Sequence, residues 1–444
     1  MTWGIVQIVT SGPYTKEENT MQGAPPRHGI FYGWVIVATA CIIVGIGMGL
    51  MFAVGVFMEP LETTFGWGRG QIAQGILYSW VMFGAFSLIF GALSDRFGLQ
   101  RLVLIGGLMF GAGMLGLSRM QTLWQLYVFH GLLVGGGIGA FLVPLTSTVM
   151  RWFIRHRGLV VALVNSGAGL GSMVFARLTR SLLMVMDWRT TLLVYGLLVW
   201  AVILPLAWLV RNHPHDMGLE PYGGVEPAPR PAAGVTPVGY TFEQVVATPA
   251  FWLIALVHTL CCAAHSGPLF HMVSNIIDHG ADKLAAATVF ALAGLASIPG
   301  RIATGLLAER FGSKTILVLW LSAQATAIVL YLAVESLLSF ALLAIFFGIS
   351  YGSVMPLYAL VTREFFGARA VGSSYGAIFF LSCIGMGLGA WVGGRFFDSF
   401  GTYQLMYLLS SAASGIGAVL VAMLRPPRTL DTHDSRARWS VRAA

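Results

Sequence analysis

Charged residues are scarce in this chain. They make up 10% of its 444 residues, whereas 57% of the residues are hydrophobic and the mean hydropathy is +0.78. Soluble globular domains carry about 25% charged residues, so this composition excludes an ordinary soluble fold. Most of the chain is therefore expected to face lipid.

Cysteine is also scarce, and every cysteine lies inside an apolar segment. The four residues are Cys41, Cys261, Cys262 and Cys383. Adjacent cysteines do not readily bridge each other, so we interpret these thiols as small apolar side chains. The sequence lacks an H-E-x-x-H motif, and three histidines in one apolar segment have no acidic partner there. We expect neither an enzyme nor a metal or cofactor site.

Long apolar runs are abundant. A helix needs about 20 apolar residues to cross the roughly 30 Å hydrocarbon core of a bilayer. About twelve runs meet that length, which predicts an all-α protein with twelve membrane spans. The runs begin near Tyr32, Gln71, Leu102, Leu123, Gly158, Thr190, Phe251, Leu284, Thr315, Leu337, Val371 and Tyr403.

The charges between these runs predict their orientation, because Lys and Arg near membrane helices stay in the cytoplasm. Basic residues follow the second, fourth, eighth and tenth runs, whereas acids such as Glu59, Glu62 and Asp278 lie on the other side. Both termini are thus predicted to be cytoplasmic. The net charge of +8 is spread over loops and the C-terminal tail, so we expect no nucleic-acid partner. We expect a multi-pass protein of a bacterial cytoplasmic (inner) membrane.

One motif occurs twice. GALSDRFGLQR, from Gly91 to Arg101, is followed much later by GLLAERFGSK, from Gly305 to Lys314. GAFLVP at 139–144 and YGSVMP at 351–356 repeat at nearly the same offset. The chain is therefore predicted to hold two copies of one helical bundle, as transporters built from repeats do.

A stretch rich in proline and glycine lies between the two copies and predicts a flexible linker. We expect no signal peptide, and both Met1 and Met21 remain candidate start sites. The predicted division is a cytoplasmic extension at 1–30, a six-helix bundle at 31–210, a cytoplasmic linker at 211–248, a second six-helix bundle at 249–424 and a cytoplasmic tail at 425–444.

The repeated loop resembles the G-x-L-x-D-R-x-G-x-x-R/K signature of the major facilitator superfamily, and the second copy has Glu309 in place of Asp. RWFIRHRGLVVALVNSGAGLG at 151–171, HPHDMGLEPYG and HSGPLFH are similar to its monocarboxylate and oxalate/formate branch. The resemblance implies twelve helices in two pseudo-symmetric halves and transport of small carboxylates.

The loop motif predicts a gating role. A carboxylate at a helix end accepts charge-assisted hydrogen bonds from arginine and from a neighbouring helix N-terminus. We expect it to close the cytoplasmic side, or alternatively only to cap helices and set topology. The candidate gating residues are Asp95, Arg96, Arg101, Glu309 and Arg310.

Arg301 is the candidate for substrate recognition. It lies about 12 Å along its helix from Glu309, and a charge near the bilayer centre costs about 2.5–3.5 kcal/mol on insertion scales. The resemblance implies that an arginine here pairs with the substrate carboxylate; a snorkelling or carbonyl-bonded arginine is the alternative. Arg177 and Arg180 are expected to face an outer vestibule or to snorkel.

His258, His265 and His271 share one predicted span, in which Ser266, Gly267 and Pro268 are expected to break or bend the helix. His265 is predicted to face the cavity, although a structural hydrogen bond is an equal alternative. Further predicted cavity residues are Asn165, Tyr351, Tyr358, Tyr375, Phe379 and Ser382.

These residues favour a monomeric secondary transporter of a small monocarboxylate. If Arg301 and His265 share the cavity, anion and proton would enter together, which is symport. Lysines found in relatives are absent at two matching places, which favours a monoanion and weakens the case for proton coupling. An oxalate/formate-type exchanger and a multidrug or amphiphile exporter remain alternatives.

Overall fold

The computed structural model describes residues 31–224, 240–367 and 371–425, and within them the side chains of five residues are left aside. Those five are Asp95, Arg96, Arg157, Glu309 and Val371. In the described residues the chain is almost wholly helical, with one isolated bridge between Phe153 and Tyr222. Within these ranges twelve helices are long and apolar enough to cross a membrane, so the predicted all-α membrane fold is confirmed.

We number these membrane helices α1 to α12. They are α1 Tyr32–Phe65, α2 Arg69–Phe97, α3 Leu99–Ser118, α4 Leu123–Trp152, α5 Arg157–Leu183, α6 Trp188–Leu209, α7 Pro249–Asp278, α8 Lys283–Phe311, α9 Ser313–Leu330, α10 Leu337–Phe366, α11 Val371–Phe400 and α12 Gln404–Met423. An even number of spans brings both ends of the described chain to one side. We call that side the terminal end and the opposite side the far end.

Gly98 and Gly312 show that the sequence repeat is also a structural repeat. Gly98 joins α2 to α3 with φ 81° and ψ 138°, and Gly312 joins α8 to α9 with φ 82° and ψ 139°. Side chains rarely tolerate this conformation, which is why glycine is needed at both places. Both loops lie at the terminal end.

Two helices depart from regularity or from expectation. α4 contains a π-helical stretch, Tyr127–Gly135, and its last part, Leu142–Trp152, follows a short turn. Such stretches leave the usual hydrogen-bond ladder locally shifted. α7, by contrast, runs without a break from Pro249 to Asp278 with Pro268 inside it. A break at residues 266–268 is therefore wrong, and the alternative of a bend there stays a prediction.

The described parts of the segment between the halves pack on both of them. A 3₁₀ turn spans Pro214–Met217, and a short helix spans Phe242–Val246. Asn212 accepts a hydrogen bond from the main-chain N of Leu99 at 2.7 Å, so it caps α3 beside the repeated loop. The centre of the predicted linker, residues 225–239, lies outside the described residues, as do residues 1–30 and 426–444.

We predict that Gly98→Ala destabilises the protein. A non-glycine residue at φ 81° is strained, and the added Cβ would lie 3.1 Å from Asn212. The expected cost is about 1–3 kcal/mol of unfolding free energy, measurable as a lower melting temperature in detergent. Gly305→Ala is the control, because a Cβ there meets nothing within 4 Å. Equal melting temperatures for the two variants would contradict the assigned glycine role.

Candidate functional site

Arg301 lies where the two halves meet. It is partly buried in α8, and its Nη1 donates to the main-chain oxygen of Asn165 in α5 at 3.1 Å. The side chain of Asn165 turns back to its own helix, donating to the Val161 oxygen at 2.9 Å. Asn165 therefore contributes its carbonyl rather than its amide. The Nε atom of Arg301 is buried without a hydrogen-bond partner among the described residues.

Tyr351 and His265 complete this group. The Tyr351 hydroxyl lies close enough to Arg301 to interact with its guanidinium, and the Tyr351 ring stacks on His265 with 5.5 Å between centroids. His265 is buried, and its Nδ1 donates to the Cys261 oxygen at 2.8 Å. That bond leaves Nε2 as the nitrogen with a free lone pair. Arg301 and His265 are near enough for their charges to interact.

Glycines mark how far the contact between α5 and α8 extends. Their backbones approach closely on the far side of Arg301: a Cβ on Gly169 would lie 3.0 Å from the Gly294 oxygen. One turn beyond Arg301 toward the terminal end, a Cβ on Gly305 would meet no described atom within 4 Å. The same holds at the terminal ends of α2, α5 and α11, at Gly91, Gly158 and Gly372. The close backbone contact between α5 and α8 that these glycines mark therefore lies on the far side of Arg301.

The far end is closed by Arg69, the first residue of α2. Its guanidinium binds Asp278 of α7 through two bonds of 2.6 and 3.0 Å, and Nη1 donates to the Tyr403 hydroxyl at 2.8 Å. Nε reaches Glu62 at 3.2 Å, and the Phe397 ring covers the guanidinium at 3.8 Å. Arg69 is buried, at 8% exposure. One side chain of the first half is thus held by three elements of the second.

Asp398 strengthens the same closure by capping α2 from the other half. Its carboxylate accepts from the main-chain N of Arg69 at 2.8 Å and of Gly70 at 2.9 Å. A carboxylate is favoured at a helix N-terminus, where unpaired N–H groups and the helix dipole attract negative charge. This is the type of contact that the sequence predicts for the terminal-end loops.

His271 extends the Arg69 cluster into the second half. Its Nε2 donates to the Ala390 oxygen at 2.8 Å, so Nδ1 accepts from the Tyr403 hydroxyl at 3.3 Å. The hydroxyl in turn accepts from Arg69. The hydrogen bonds therefore run in one direction, from Arg69 through Tyr403 to His271. His271 serves the far-end closure rather than the group around Arg301.

Two further arginines of α5 lie near the far end. Arg180 is buried and bonds to Glu59 of α1 at 3.1 Å, and Lys283 of α8 pairs with the same carboxylate. Arg180 thus packs inside the protein rather than facing a vestibule. Arg177 is exposed and donates to the Thr288 hydroxyl of α8 at 3.0 Å.

Three of the predicted cavity residues form a second group around His258, which lies about two turns from His265 on α7. Tyr358 stacks on His258 at 3.7 Å, and Tyr375 lies 6.4 Å from the same ring. Phe379 touches Tyr375 and also Phe83 of the first half. Both ring nitrogens of His258 are buried without a partner in the described residues. This aromatic group lies beside the Arg301 group rather than within it.

The other predicted residues lie apart from these groups or cannot be described. Ser382 is buried and donates to the Phe379 oxygen of its own helix at 2.7 Å. Arg101 is exposed, and Arg310 lies 5.3 Å from the Phe311 ring. The side chains of Asp95, Arg96 and Glu309 lie outside the described residues, so the gating hypothesis stays a prediction. Among described residues, no group of three His, Cys, Asp or Glu side chains is arranged for a metal.

The Arg69 closure is the feature that the sequence did not predict. Sequence reasoning placed Glu62 and Asp278 together on one side of the membrane, which was a usable signal. Arg69 and Asp278 are separated by 209 residues, however, and no local pattern pairs them. These two residues meet only because the two halves pack against each other in the folded protein.

Two bundles of six helices that meet at Arg301 and are joined at the far end by the bonds of Arg69 form the fold of a membrane transporter. The family model of the Major Facilitator Superfamily matches residues 37–390. The chain belongs to that superfamily, and it is a transporter rather than an enzyme.

Individual relatives indicate one branch of the superfamily. Monocarboxylate transporter 13 of Bos taurus is 27% identical over 392 residues, which cover 87% of this chain and 88% of that protein. Monocarboxylate transporter 11 of Homo sapiens is 28% identical over 437 residues, covering 94% and 88%. The uncharacterized MFS-type transporter YhjX of Escherichia coli (strain K12) is 23% identical over 351 residues, covering 72% and 83%. These matches agree with the predicted monocarboxylate branch.

A solved structure supports the fold. The crystal structure of a bacterial homolog of the human lysosomal transporter Spinster, in an inward-facing and unoccupied conformation, matches with a TM-score of 0.67 and 14% identity. The match covers 89% of this chain and 96% of that chain.

Proposed function

We propose that the protein is a secondary transporter of small monocarboxylates that works by alternating access. The observation that carries the proposal is Arg301, a cation between the two halves whose described partners are neutral. The relatives named monocarboxylate transporters support the same substrate class.

The chemistry of Arg301 suits a carboxylate. Its Nη1 bonds to a carbonyl, its Nε has no described partner, and Tyr351 offers only a hydroxyl. A buried charge without a counter-ion is costly, and a guanidinium binds a planar carboxylate through two parallel hydrogen bonds. A bound carboxylate would offset that cost. One such cation favours a monoanion over a dicarboxylate.

Carboxylate binding at Arg301 also explains how substrate changes the contact between the two halves. Arg301 belongs to the second half and bonds to Asn165 of the first. A carboxylate that takes the Arg301 donors competes with this contact and adds its own contacts to the opposite half. Substrate thus changes the free energy of the closed arrangement relative to the open one, which alternating access requires.

His265 is the candidate proton carrier. Its free Nε2 can accept a proton, and repulsion from Arg301 opposes that charge while the site holds no anion. A carboxylate on Arg301 cancels the repulsion, so proton and anion bind together. This ordering gives symport. Exchange of one anion for another, as in oxalate/formate exchangers, is the alternative if His265 stays neutral.

The proposed cycle opens the terminal end to the cytoplasm while the Arg69 cluster seals the far end. The excess of basic residues in the terminal-end loops supports this orientation in a bacterial inner membrane. Opening the far end requires Arg69 to leave Asp278 and Tyr403. We infer that the repeated loops, with Asp95, Arg96, Arg101, Glu309 and Arg310, then close the terminal end.

A multidrug exporter is less well supported. Such proteins use acidic residues at membrane depth and a larger apolar cavity. In the described spans, three acids near the far end already have basic partners: Glu59 bonds to Arg180 and Lys283, and Glu62 and Asp278 bond to Arg69. They are occupied as counter-ions and do not face the Arg301 group.

We predict that Arg301→Gln lowers uptake of labelled lactate, pyruvate or formate into proteoliposomes by about 10- to 150-fold. Loss of the charge removes the carboxylate's partner, and hydrogen bonds to charged groups are worth about 1.5–3 kcal/mol. Arg301→Lys keeps the charge but not the fork, so it should retain part of the uptake.

The matched control is Ile302→Ala, which alters the exposed neighbouring residue and should transport normally. Normal carboxylate uptake by Arg301→Gln would reject the proposed site. Failure of every carboxylate in the wild-type protein would reject the substrate class.

A second prediction concerns coupling. In the same proteoliposomes, an inward proton gradient should stimulate uptake by the wild type, and His265→Gln should abolish the stimulation while leaving exchange of internal for external carboxylate. His271→Gln is the comparison, since His271 belongs to the far-end cluster. Uptake that ignores the proton gradient in the wild type would favour the exchanger and leave the Arg301 site intact.

A further inference from the structure

A groove on the membrane-facing surface runs between α5 and α8, one wall from each half. Its volume is about 490 Å³, within the roughly 300–1,000 Å³ typical of ligand sites. The groove is lined by Met173, Val174, Arg177, Leu178, Ser181, Thr288, Ala291, Leu292 and Leu295. None of these residues belongs to the Arg301 group or to the Arg69 cluster.

The polarity of the groove changes with depth. Arg177 lies about 9 Å from the far end of α5, and Thr288 is at a similar distance from the far end of α8. Ser181 lies one turn nearer the membrane surface. The deeper lining is apolar and exposed, with Val174 at 47% and Leu295 at 43%. The groove is thus polar near the membrane surface and apolar toward the midplane, as a phospholipid is.

The charge at the polar end is unbalanced. Three other far-end cations pair with acids: Arg69 with Asp278, and Arg180 and Lys283 with Glu59. In the described residues Arg177 bonds to the Thr288 hydroxyl but makes no ion pair. An exposed guanidinium at the depth of lipid headgroups attracts phosphate.

We propose that this groove binds one anionic phospholipid, with its phosphate on Arg177 and an acyl chain along Val174, Leu178 and Leu295. Because the walls come from opposite halves, the bound lipid bridges them at the far end. Its binding therefore favours the arrangement in which the far end is closed. This site is independent of the substrate proposed above.

Native mass spectrometry of the full-length protein in mild detergent tests the proposal. The probes are phosphatidylglycerol and phosphatidylcholine with identical acyl chains, titrated separately. The wild type should bind its first phosphatidylglycerol at least tenfold more tightly than phosphatidylcholine. Arg177→Gln should remove that preference, and Leu295→Trp should weaken both lipids by filling the groove while Arg177 remains.

Arg119→Gln is the matched control, because Arg119 is also an exposed far-end arginine but lies outside the groove. It should bind like the wild type. Equal binding of the two lipids by the wild type, an unchanged preference in Arg177→Gln, or an equal loss in Arg119→Gln would each overturn the proposal. Melting temperatures near that of the wild type verify that the variants are folded.

Discussion

The bonds between Arg69 and the second half are the constraint on which the rest of the arrangement depends. They tie α2 to α7, α11 and α12 at the far end, through Asp278, Asp398 and Tyr403. With the far ends held together, α5 and α8 are in close backbone contact on the far side of Arg301, where Gly169 meets Gly294. A buried ion pair contributes little net stability, but breaking it leaves an uncompensated charge. Such a contact suits a closure that must be specific and reversible.

Arg69 and Arg301 have the same side chain, but their different partners give them different roles. Arg69 has two carboxylates and an aromatic ring around its guanidinium, so it needs nothing further. Arg301 bonds to a carbonyl, lies near the Tyr351 hydroxyl and keeps a buried Nε without a described partner. Arg69, which has carboxylate partners, holds the two halves together at the far end. Arg301, which has none among the described residues, is available to an anion.

The sequence predicted the parts of this account that depend on local patterns. Apolar runs fixed the twelve helices, and the repeated glycine at 98 and 312 predicted the matching loops. Arg301 was recognisable as a charge at membrane depth. The sequence could not show that His258 and His265 belong to different groups, because they share a face of α7. Only the packing of α10 places Tyr358 against His258 and Tyr351 against His265. α7 is continuous through Pro268, so a break there is wrong. The Arg69 pairing joins residues too distant in sequence for any local pattern to predict.

The central claim is that Arg69 holds the far end closed, and a distance measurement across that end tests it most directly. Spin labels at Gln121 and Glu335, exposed positions of opposite halves, report the separation by pulsed electron spin resonance in nanodiscs. The wild type should show mainly the shorter distance, and Arg69→Gln should shift the population toward a longer one. An identical distance distribution in both proteins would contradict the account.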